Sequence, residues 1–191
     1  MENQISKISS ATGLYFLVGF MGSGKSMLGK GVRQTMKILS IEMDDEIERA
    51  AGMSINEIFE RGGEEAFRLL ERKTLLILIE KYRGSEIPVV ISTGGGAPCY
   101  FDNMEVMKRD GITIFINPSI DRLVERLEYK NSERPLIKDK SREEIRDFIK
   151  FNLDKRLPFY LQSHILLNPI YDDKDLNVNW LKDIMELTHK T

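Results

Sequence analysis

The chain has little cysteine and no long hydrophobic run. Cys99 is the only cysteine among 191 residues, which excludes an internal disulfide and is typical of a reducing compartment. No stretch approaches the roughly 18 consecutive apolar residues of a membrane helix. The opening residues, MENQISKISSATG, lack the basic and apolar segments of a secretory signal. We therefore predict a cytoplasmic protein without a membrane partner, with a polar leader over residues 1–13.

An excess of charge of one sign is also missing. Lysine and arginine total 28, aspartate and glutamate total 30, and the formal net charge is -2. A dedicated nucleic-acid binder usually carries a clearly basic face, so we predict no nucleic-acid partner, although a local basic pocket for a small anion remains open. The length fits one domain of about 100–200 residues, and we expect residues 1–191 to form a single domain.

Short apolar runs alternate with helical patterns along the chain. The predicted strands are 14–18, 37–41, 88–91, 112–116 and 164–167. The predicted helices are 24–36, 44–51, 54–81, 102–109, 119–129, 141–157 and 176–189, with Gly62 and Gly63 interrupting the third. Nearly continuous apolar strands are typical of a parallel sheet covered on both faces. The pattern predicts an α/β fold in three layers, with a five-stranded parallel sheet flanked by helices.

The first motif lies between a predicted strand and a predicted helix. Residues 19–26, GFMGSGKS, match G-x-x-x-x-G-K-[ST] in full. Backbone N–H groups of such a loop cradle phosphates, the lysine adds charge at the outer phosphates, and the serine hydroxyl can ligate magnesium. We predict that the chain binds ATP and Mg²⁺, with nucleotide contacts from Gly22, Ser23, Gly24, Lys25, Ser26 and Met27.

Five further motifs follow in order. They are Glu42-Met-Asp44, Gly63-Glu-Glu-Ala-Phe-Arg68, Ser92-Thr-Gly-Gly-Gly96, Arg134-Pro-Leu136 and Lys155-Arg-Leu-Pro-Phe-Tyr160. In this order and spacing, the chain resembles the shikimate kinases from about Leu14 to about Leu167. The resemblance implies a P-loop kinase fold with a mobile lid over about residues 128–142. It also implies ATP-dependent phosphorylation of the 3-hydroxyl of shikimate, in aromatic amino acid biosynthesis, by a monomer.

Asp44 is the candidate catalytic base. It follows the second predicted strand, at the edge where α/β folds bind ligands. A carboxylate there can orient a substrate hydroxyl and accept its proton, although an acidic residue at a helix start also favours capping. The resemblance implies the catalytic role, with Lys25 and Arg134 as the other catalytic residues.

Two arginines and three glycines form the candidate acceptor site. The resemblance implies that Arg68 and Arg156 bind the shikimate carboxylate, for which a guanidinium fork is suited. Arg72 and Lys155 are neighbours that could be mistaken for them. Three consecutive glycines, Gly94, Gly95 and Gly96, end a predicted strand and permit close approach of backbone to ligand, although a plain turn is the alternative. The resemblance implies that their backbone donors bind shikimate.

The resemblance places two more arginines on the nucleotide side. Arg134, in the polar segment 130–140, matches a lid arginine that closes over the phosphates, and a solvated surface loop is the alternative. Arg126 is predicted to contact the adenine or the phosphates.

Glu42 departs from the family pattern, which usually carries aspartate at this position. We predict a magnesium site formed by Ser26 and Glu42, with altered metal affinity because glutamate is one methylene longer.

Two other functions remain open at this point. One is a related kinase that acts on gluconate or a nucleoside monophosphate, which the arginine pair and the triple glycine disfavour. The other is a catalytically silent binding module, which the presence of Lys25, Ser26, Asp44 and Arg134 disfavours.

Overall fold

A computed structural model describes residues 13–129, 137–169 and 173–189. Its strands are β1 (Leu14–Val18), β2 (Leu39–Glu42), β3 (Val89–Ser92), β4 (Ile112–Ile116) and β5 (Ile165–Leu167). Its α-helices are α1 (Lys25–Thr35), α2 (Met43–Ala51), α3 (Ile55–Tyr82), α4 (Asn103–Asp110), α5 (Ile120–Tyr129), α6 (Arg142–Tyr160) and α7 (Lys174–His189), and a short 3-10 helix covers Ala97–Cys99.

The strands form one parallel sheet in the order β2-β3-β1-β4-β5. Phe16 on the central strand β1 pairs with Ile91 on β3 and with Thr113 on β4. All five residues of β1 are buried, as the apolar run predicted for a central strand. Because the strands are parallel, the carboxyl ends of β1, β2 and β3 meet at one edge of the sheet. The segments that follow these strands, which carry the motifs, therefore meet there.

Helices cover both faces of the sheet, which confirms the three-layer α/β prediction. On one face, Tyr15 and Leu17 pack with Leu28 of α1 and Leu181 of α7. On the other face, Leu14, Phe16 and Val18 join a larger core built from α2 through α6. Alternation of side chains along β1 divides the core into these two layers.

The long helix α3 starts and breaks where the sequence predicted. Ser54 accepts a hydrogen bond from the Glu57 backbone, and the Glu57 carboxylate accepts one from the Ser54 backbone, which forms a capping box. Gly63 then leaves helical geometry at φ 68° and ψ -169°. The helix is therefore kinked at Gly63, before the part that carries Arg68.

Some sequence predictions differ from the structure or lie outside it. Helix α6 continues through Pro158 to Tyr160, three residues beyond its predicted end, because a proline in the last turn removes only one helical hydrogen bond. Residues 1–12 of the leader, and residues 130–136 of the lid with Arg134, lie outside the described residues. In the part of the chain that is described, no helix has the length and apolar character needed to span a membrane.

Gly31 lies in the interior of α1, where the contact with α7 explains it. A Cβ atom added at Gly31 would lie 2.4 Å from Val178 Cγ2. Alanine normally stabilises a helix interior by about 1 kcal/mol relative to glycine. At this position we expect Gly31→Ala to lower the free energy of unfolding by about 1–3 kcal/mol, because overpacking against a stiff valine outweighs that gain.

Urea unfolding of Gly31→Ala and of the double variant Gly31→Ala/Val178→Ala measures this effect. The second change should restore part of the stability that the first removes, because it vacates the clashing volume. A single variant as stable as the native chain would show that the α1–α7 contact is looser than described.

Candidate active site

The P-loop joins β1 to α1 and forms the floor of the site. Gly22 and Gly24 adopt φ angles of 78° and 105°, which side chains disfavour, so the loop depends on glycine at these turns. Lys25 begins α1, is 9% exposed, and its Nζ donates to the carbonyls of Gly19 at 2.8 Å and Phe20 at 3.0 Å. The lysine charge is thus held beside the loop that would cradle phosphates.

Arg126 of α5 contacts the P-loop directly. Its Nη1 donates to the carbonyl oxygens of Gly22 at 3.1 Å and Ser23 at 2.9 Å. The sequence left open whether Arg126 lies near the adenine or near the phosphates, and in the structure it contacts the loop that would bind the phosphates. Its guanidinium stabilises the loop through these hydrogen bonds and adds positive charge beside it.

A cleft of about 560 Å³ opens at the carboxyl edge of the sheet. This volume is within the usual range of small-molecule sites, about 300–1,000 Å³. Its lining combines the P-loop with Glu42, Asp44 and the start of the triple-glycine loop, and adds the α5 residues Glu125, Arg126 and Tyr129. The structure therefore brings the candidate base into one cleft with most of the predicted nucleotide residues, namely Gly22, Gly24, Lys25, Ser26, Met27 and Arg126. Ser23 is not part of the lining.

Asp44 lies in the first turn of α2 and opens into this cleft. The N-cap residue of α2 is Glu42, which makes no side-chain cap hydrogen bond. The Asp44 side chain is open to solvent, but desolvation by the surrounding protein raises its pKa above the ordinary value, and the Lys25 charge offsets part of this rise. Asp44 is thus a stronger base than a carboxylate in water, positioned beside the lysine of the P-loop.

Ser26 and Glu42 form an oxygen-rich corner of the cleft. The Ser26 hydroxyl donates to Glu42 Oε2 at 2.6 Å, and the extra methylene of glutamate helps its carboxylate reach that far. Glu42 Oε1 and Ser92 Oγ are buried without a hydrogen-bond partner among the described residues. Magnesium prefers oxygen ligands, usually one or two carboxylates together with substrate phosphates. These residues therefore fit a magnesium ion.

Arg68 is held in place from several sides. Its Nη1 donates to Glu71 Oε2 at 2.7 Å, while Nε and Nη2 donate to Glu64 Oε1 at 3.3 and 3.1 Å. Its guanidinium carbon lies 4.0 Å from the centre of the Tyr100 ring. Both terminal nitrogens of Arg68 lie at the glycine loop, because a Cβ added at Gly96 would be 2.6 Å from Nη2 and 2.8 Å from Nη1. A guanidinium with both terminal nitrogens presented is suited to a carboxylate.

Glu71 is a site residue that sequence reasoning missed. Its side chain is 0% exposed, and burial raises its pKa although the neighbouring Arg68 charge opposes the rise. A Cβ added at Gly94 would lie 2.7 Å from Glu71 Oε1 and 3.3 Å from Asp44 Oδ1, so glycine is needed between the two carboxylates. The sequence signal that could have identified Glu71 was its position three residues after Arg68 on the same helix, where the two side chains can pair.

Arg156 of α6 also lies beside the triple-glycine loop. A Cβ at Gly95 would lie 3.6 Å from Arg156 Nη1, which is an ordinary contact, whereas a Cβ at Gly96 would lie 2.6 Å from Arg68 Nη2. The two guanidinium groups thus lie beside adjacent glycines, and a side chain at Gly96 would displace Arg68. The structure brings together the arginines and glycines that the sequence analysis assigned to the acceptor.

The two neighbouring cations that could be mistaken for these arginines point elsewhere. Arg72 pairs with Asp102 at 2.6 Å and donates to Asn103 at 2.9 Å. Lys155 lies over the Phe151 ring, 3.7 Å from its centre. Cys99 lies near the arginine pair, but burial raises its pKa to about 11, so it is a protonated thiol at neutral pH.

The sheet order, the P-loop after the central strand β1 and the acidic residue Asp44 after β2 define a P-loop kinase fold. A family model described as shikimate kinase matches residues 21–180. The shikimate kinase of Azobacteroides pseudotrichonymphae is 44% identical over 151 residues, 79% of this chain and 86% of that protein. The chain therefore belongs to the shikimate kinase family.

Solved structures agree with this assignment. The shikimate kinase of Bacteroides thetaiotaomicron matches with a TM-score of 0.82 and 39% identity, covering 91% of this chain and 98% of that one. The shikimate kinase of Acinetobacter baumannii, solved in complex with shikimate, matches with a TM-score of 0.75 and 30% identity. That match covers 95% of this chain and 98% of the other.

Proposed function

We propose that this chain transfers the γ-phosphoryl group of ATP to the 3-hydroxyl of shikimate. The observation that carries the proposal is that the candidate nucleotide site and the candidate acceptor site lie next to each other at one edge of the sheet. The P-loop and Asp44 line a single cleft, and the triple-glycine loop connects that cleft to Arg68 and Arg156. Membership of the shikimate kinase family supports ATP as donor and shikimate as acceptor.

The arginine pair would hold the carboxylate of shikimate. Arg68 is nearly buried, and both of its terminal nitrogens lie beside Gly96. Arg156 lies beside Gly95, the neighbouring glycine. Gluconate also carries a carboxylate that Arg68 could bind. The rigidly held Arg68 guanidinium nevertheless favours a substrate of fixed shape, and a cyclic polyol such as shikimate has a more fixed shape than the open chain of gluconate.

Asp44 would act as the general base. Its carboxylate accepts the proton of the attacking hydroxyl as the new O–P bond forms and the bond to the leaving ADP oxygen breaks. Lys25 supplies positive charge to the transferring group, and Arg134, which lies outside the described residues, would add a second cation from the lid. Phosphoryl transfer depends mainly on such positioning and charge neutralisation.

Ser26 and Glu42 would hold the magnesium ion. When bound, the ion neutralises charge on the β- and γ-phosphate oxygens. The buried, unpartnered Glu42 Oε1 supports this assignment, because the second carboxylate oxygen is available for a ligand or its water.

The Glu42→Gln variant tests the metal assignment. Glutamine keeps the size of the side chain but removes its charge, so we expect about tenfold more magnesium to be needed for half-maximal activity. A magnesium titration at fixed ATP measures this shift. Glu46→Gln is the matched control, because Glu46 pairs with Arg49 on the outer part of α2 and should leave the titration unchanged. Identical titrations for Glu42→Gln and the native chain would remove Glu42 from the metal site.

Release of ADP in the presence of shikimate, gluconate or a nucleoside monophosphate tests the acceptor. The proposal expects turnover with shikimate alone. Turnover with gluconate but not shikimate would change the substrate, and shikimate binding without ADP release would indicate a silent binding module.

We also propose that the chain acts as a monomer in the cytoplasm. The resemblance to the shikimate kinases supports the monomer. Light scattering after size-exclusion chromatography tests the monomer, and a particle of twice the chain mass would contradict it.

A further inference from the structure

The triple-glycine loop turns its three carbonyls toward protein donors. The Gly94 carbonyl accepts from the Ala97 N–H at 3.1 Å, and the Gly96 carbonyl accepts from the Cys99 N–H at 2.8 Å. The Gly95 carbonyl accepts from the Tyr160 hydroxyl. Among the described contacts, none of the three glycine N–H groups donates to a protein acceptor. Such an arrangement leaves the amides as donors for a ligand, as in the backbone concavities that bind anions.

Only the Gly95 carbonyl depends on a side chain from outside the loop. Tyr160 is 0% exposed, and its ring packs on Phe115 with centroids 5.0 Å apart. Burial raises the pKa of Tyr160 well above its ordinary value, so its hydroxyl remains protonated and able to donate. A fixed donor is therefore built into the core beneath the loop.

Arg156 lies close to the same group. It is one helical turn before Tyr160 on α6, and a Cβ added at Gly95 would lie 3.6 Å from Arg156 Nη1. The carbonyl that the Tyr160 hydroxyl binds therefore belongs to the glycine beside a predicted carboxylate-binding arginine.

We infer that Tyr160 is a positioning residue for the acceptor site. It holds the Gly95 carbonyl away from the acceptor, so that the backbone N–H groups of the loop face the same anionic substrate as the neighbouring Arg156 guanidinium. The inference rests on the proposed function and deepens it, because neither the sequence motifs nor the cleft lining assign Tyr160 a role.

The surroundings of Gly95 explain why the loop cannot replace this contact by moving. A Cβ at Gly95 would lie 3.1 Å from the Met21 amide nitrogen and 3.5 Å from the Gly19 carbonyl oxygen, so the loop rests directly on the P-loop. Without the hydroxyl, the Gly95 carbonyl is left unpaired or its peptide rotates. Rotation would present a partial negative charge to an anionic acceptor where an N–H had been.

Tyr160→Phe tests the inference, since phenylalanine keeps the ring and removes only the hydroxyl. We expect the KM for shikimate and the Kd of shikimate without ATP to rise about tenfold, as for a lost buried hydrogen bond. The Kd of MgATP without shikimate should stay within about twofold, because the one hydrogen bond described for the Tyr160 hydroxyl goes to Gly95 and not to the P-loop. The MgATP measurement also controls for partial unfolding, which would weaken the apparent affinity for both ligands together.

Tyr15→Phe is the matched control. Tyr15 is 1% exposed, and its hydroxyl contacts Thr188 Oγ1 at 2.9 Å and the Met185 carbonyl at 3.3 Å, on the opposite face of the sheet. The Tyr15→Phe variant should lose about as much thermal stability as Tyr160→Phe does, with no change in its affinity for shikimate.

Three outcomes would overturn the inference. Native shikimate affinity in Tyr160→Phe would reduce Tyr160 to a structural residue, and so would an equal loss of affinity in Tyr15→Phe. A native chain that neither binds nor phosphorylates shikimate would overturn the proposed function as well. Assays of the native chain alone reveal this outcome before any variant is compared.

Discussion

Asp44→Asn is expected to lower turnover with shikimate by about 10²–10⁴-fold, the usual contribution of a positioned general base. Asparagine has nearly the same shape and still accepts a hydrogen bond from a substrate hydroxyl, but it cannot take up the proton. The affinity for ATP should stay close to that of the native chain, because the P-loop residues that contact the phosphates are unchanged. Steady-state kinetics and nucleotide binding on the same preparation separate these two effects.

The pH dependence of the native chain gives a second readout of the same residue. Desolvation by the surrounding protein raises the pKa of Asp44, so the carboxylate loses its charge at a higher pH than an aspartate in water does. Because only the charged form accepts a proton, kcat/KM should fall as the pH drops through this raised pKa. Asp45→Asn, in the same turn of α2, is the control that should keep native turnover. Unchanged turnover in Asp44→Asn would refute its role as the base.

Arg68→Lys is expected to raise the KM for shikimate by about 100-fold. Lysine keeps a positive charge, but it lacks the planar fork that binds a carboxylate through two hydrogen bonds. It also replaces the guanidinium contacts that fix the side chain, namely the bonds to Glu71 and Glu64 and the stacking on Tyr100. The fully buried Glu71 would then have a poorer partner, so we also expect a lower melting temperature.

Arg72→Lys is the matched control for this prediction. Arg72 lies one turn later on α3 and pairs with Asp102 outside the acceptor site. Its replacement should leave the KM for shikimate unchanged. A large rise in KM for Arg72→Lys, with none for Arg68→Lys, would mean that the carboxylate binds on the other arginine.

Local signals in the sequence were sufficient for the elements and for the nucleotide side of the site. β1 and β4 have the predicted bounds, because strands buried on both faces are continuous apolar runs. The P-loop was recognisable because a phosphate cradle is built from eight consecutive residues. Ser54 and Gly63 likewise marked the start and the break of α3 through their immediate neighbours.

Contacts between distant segments could not be predicted in the same way. Glu71 matters because the fold brings Gly94 and Asp44 against it, and nothing adjacent to it in sequence signals that contact. Tyr160 lay beyond the predicted end of its helix, so its hydrogen bond to Gly95, 65 positions earlier, was not foreseen. The choice of Arg68 over Arg72 rested on a motif, and the structure adds a physical reason: only Arg68 faces the glycine loop.

Mass spectrometry of the small-molecule products tests the central claim most directly. The native chain and Asp44→Asn would each be incubated with MgATP and shikimate under identical conditions. The account predicts shikimate 3-phosphate and an equal amount of ADP from the native chain, with little of either from the variant. Absence of phosphorylated shikimate from the native chain, or equal product from both proteins, would contradict it.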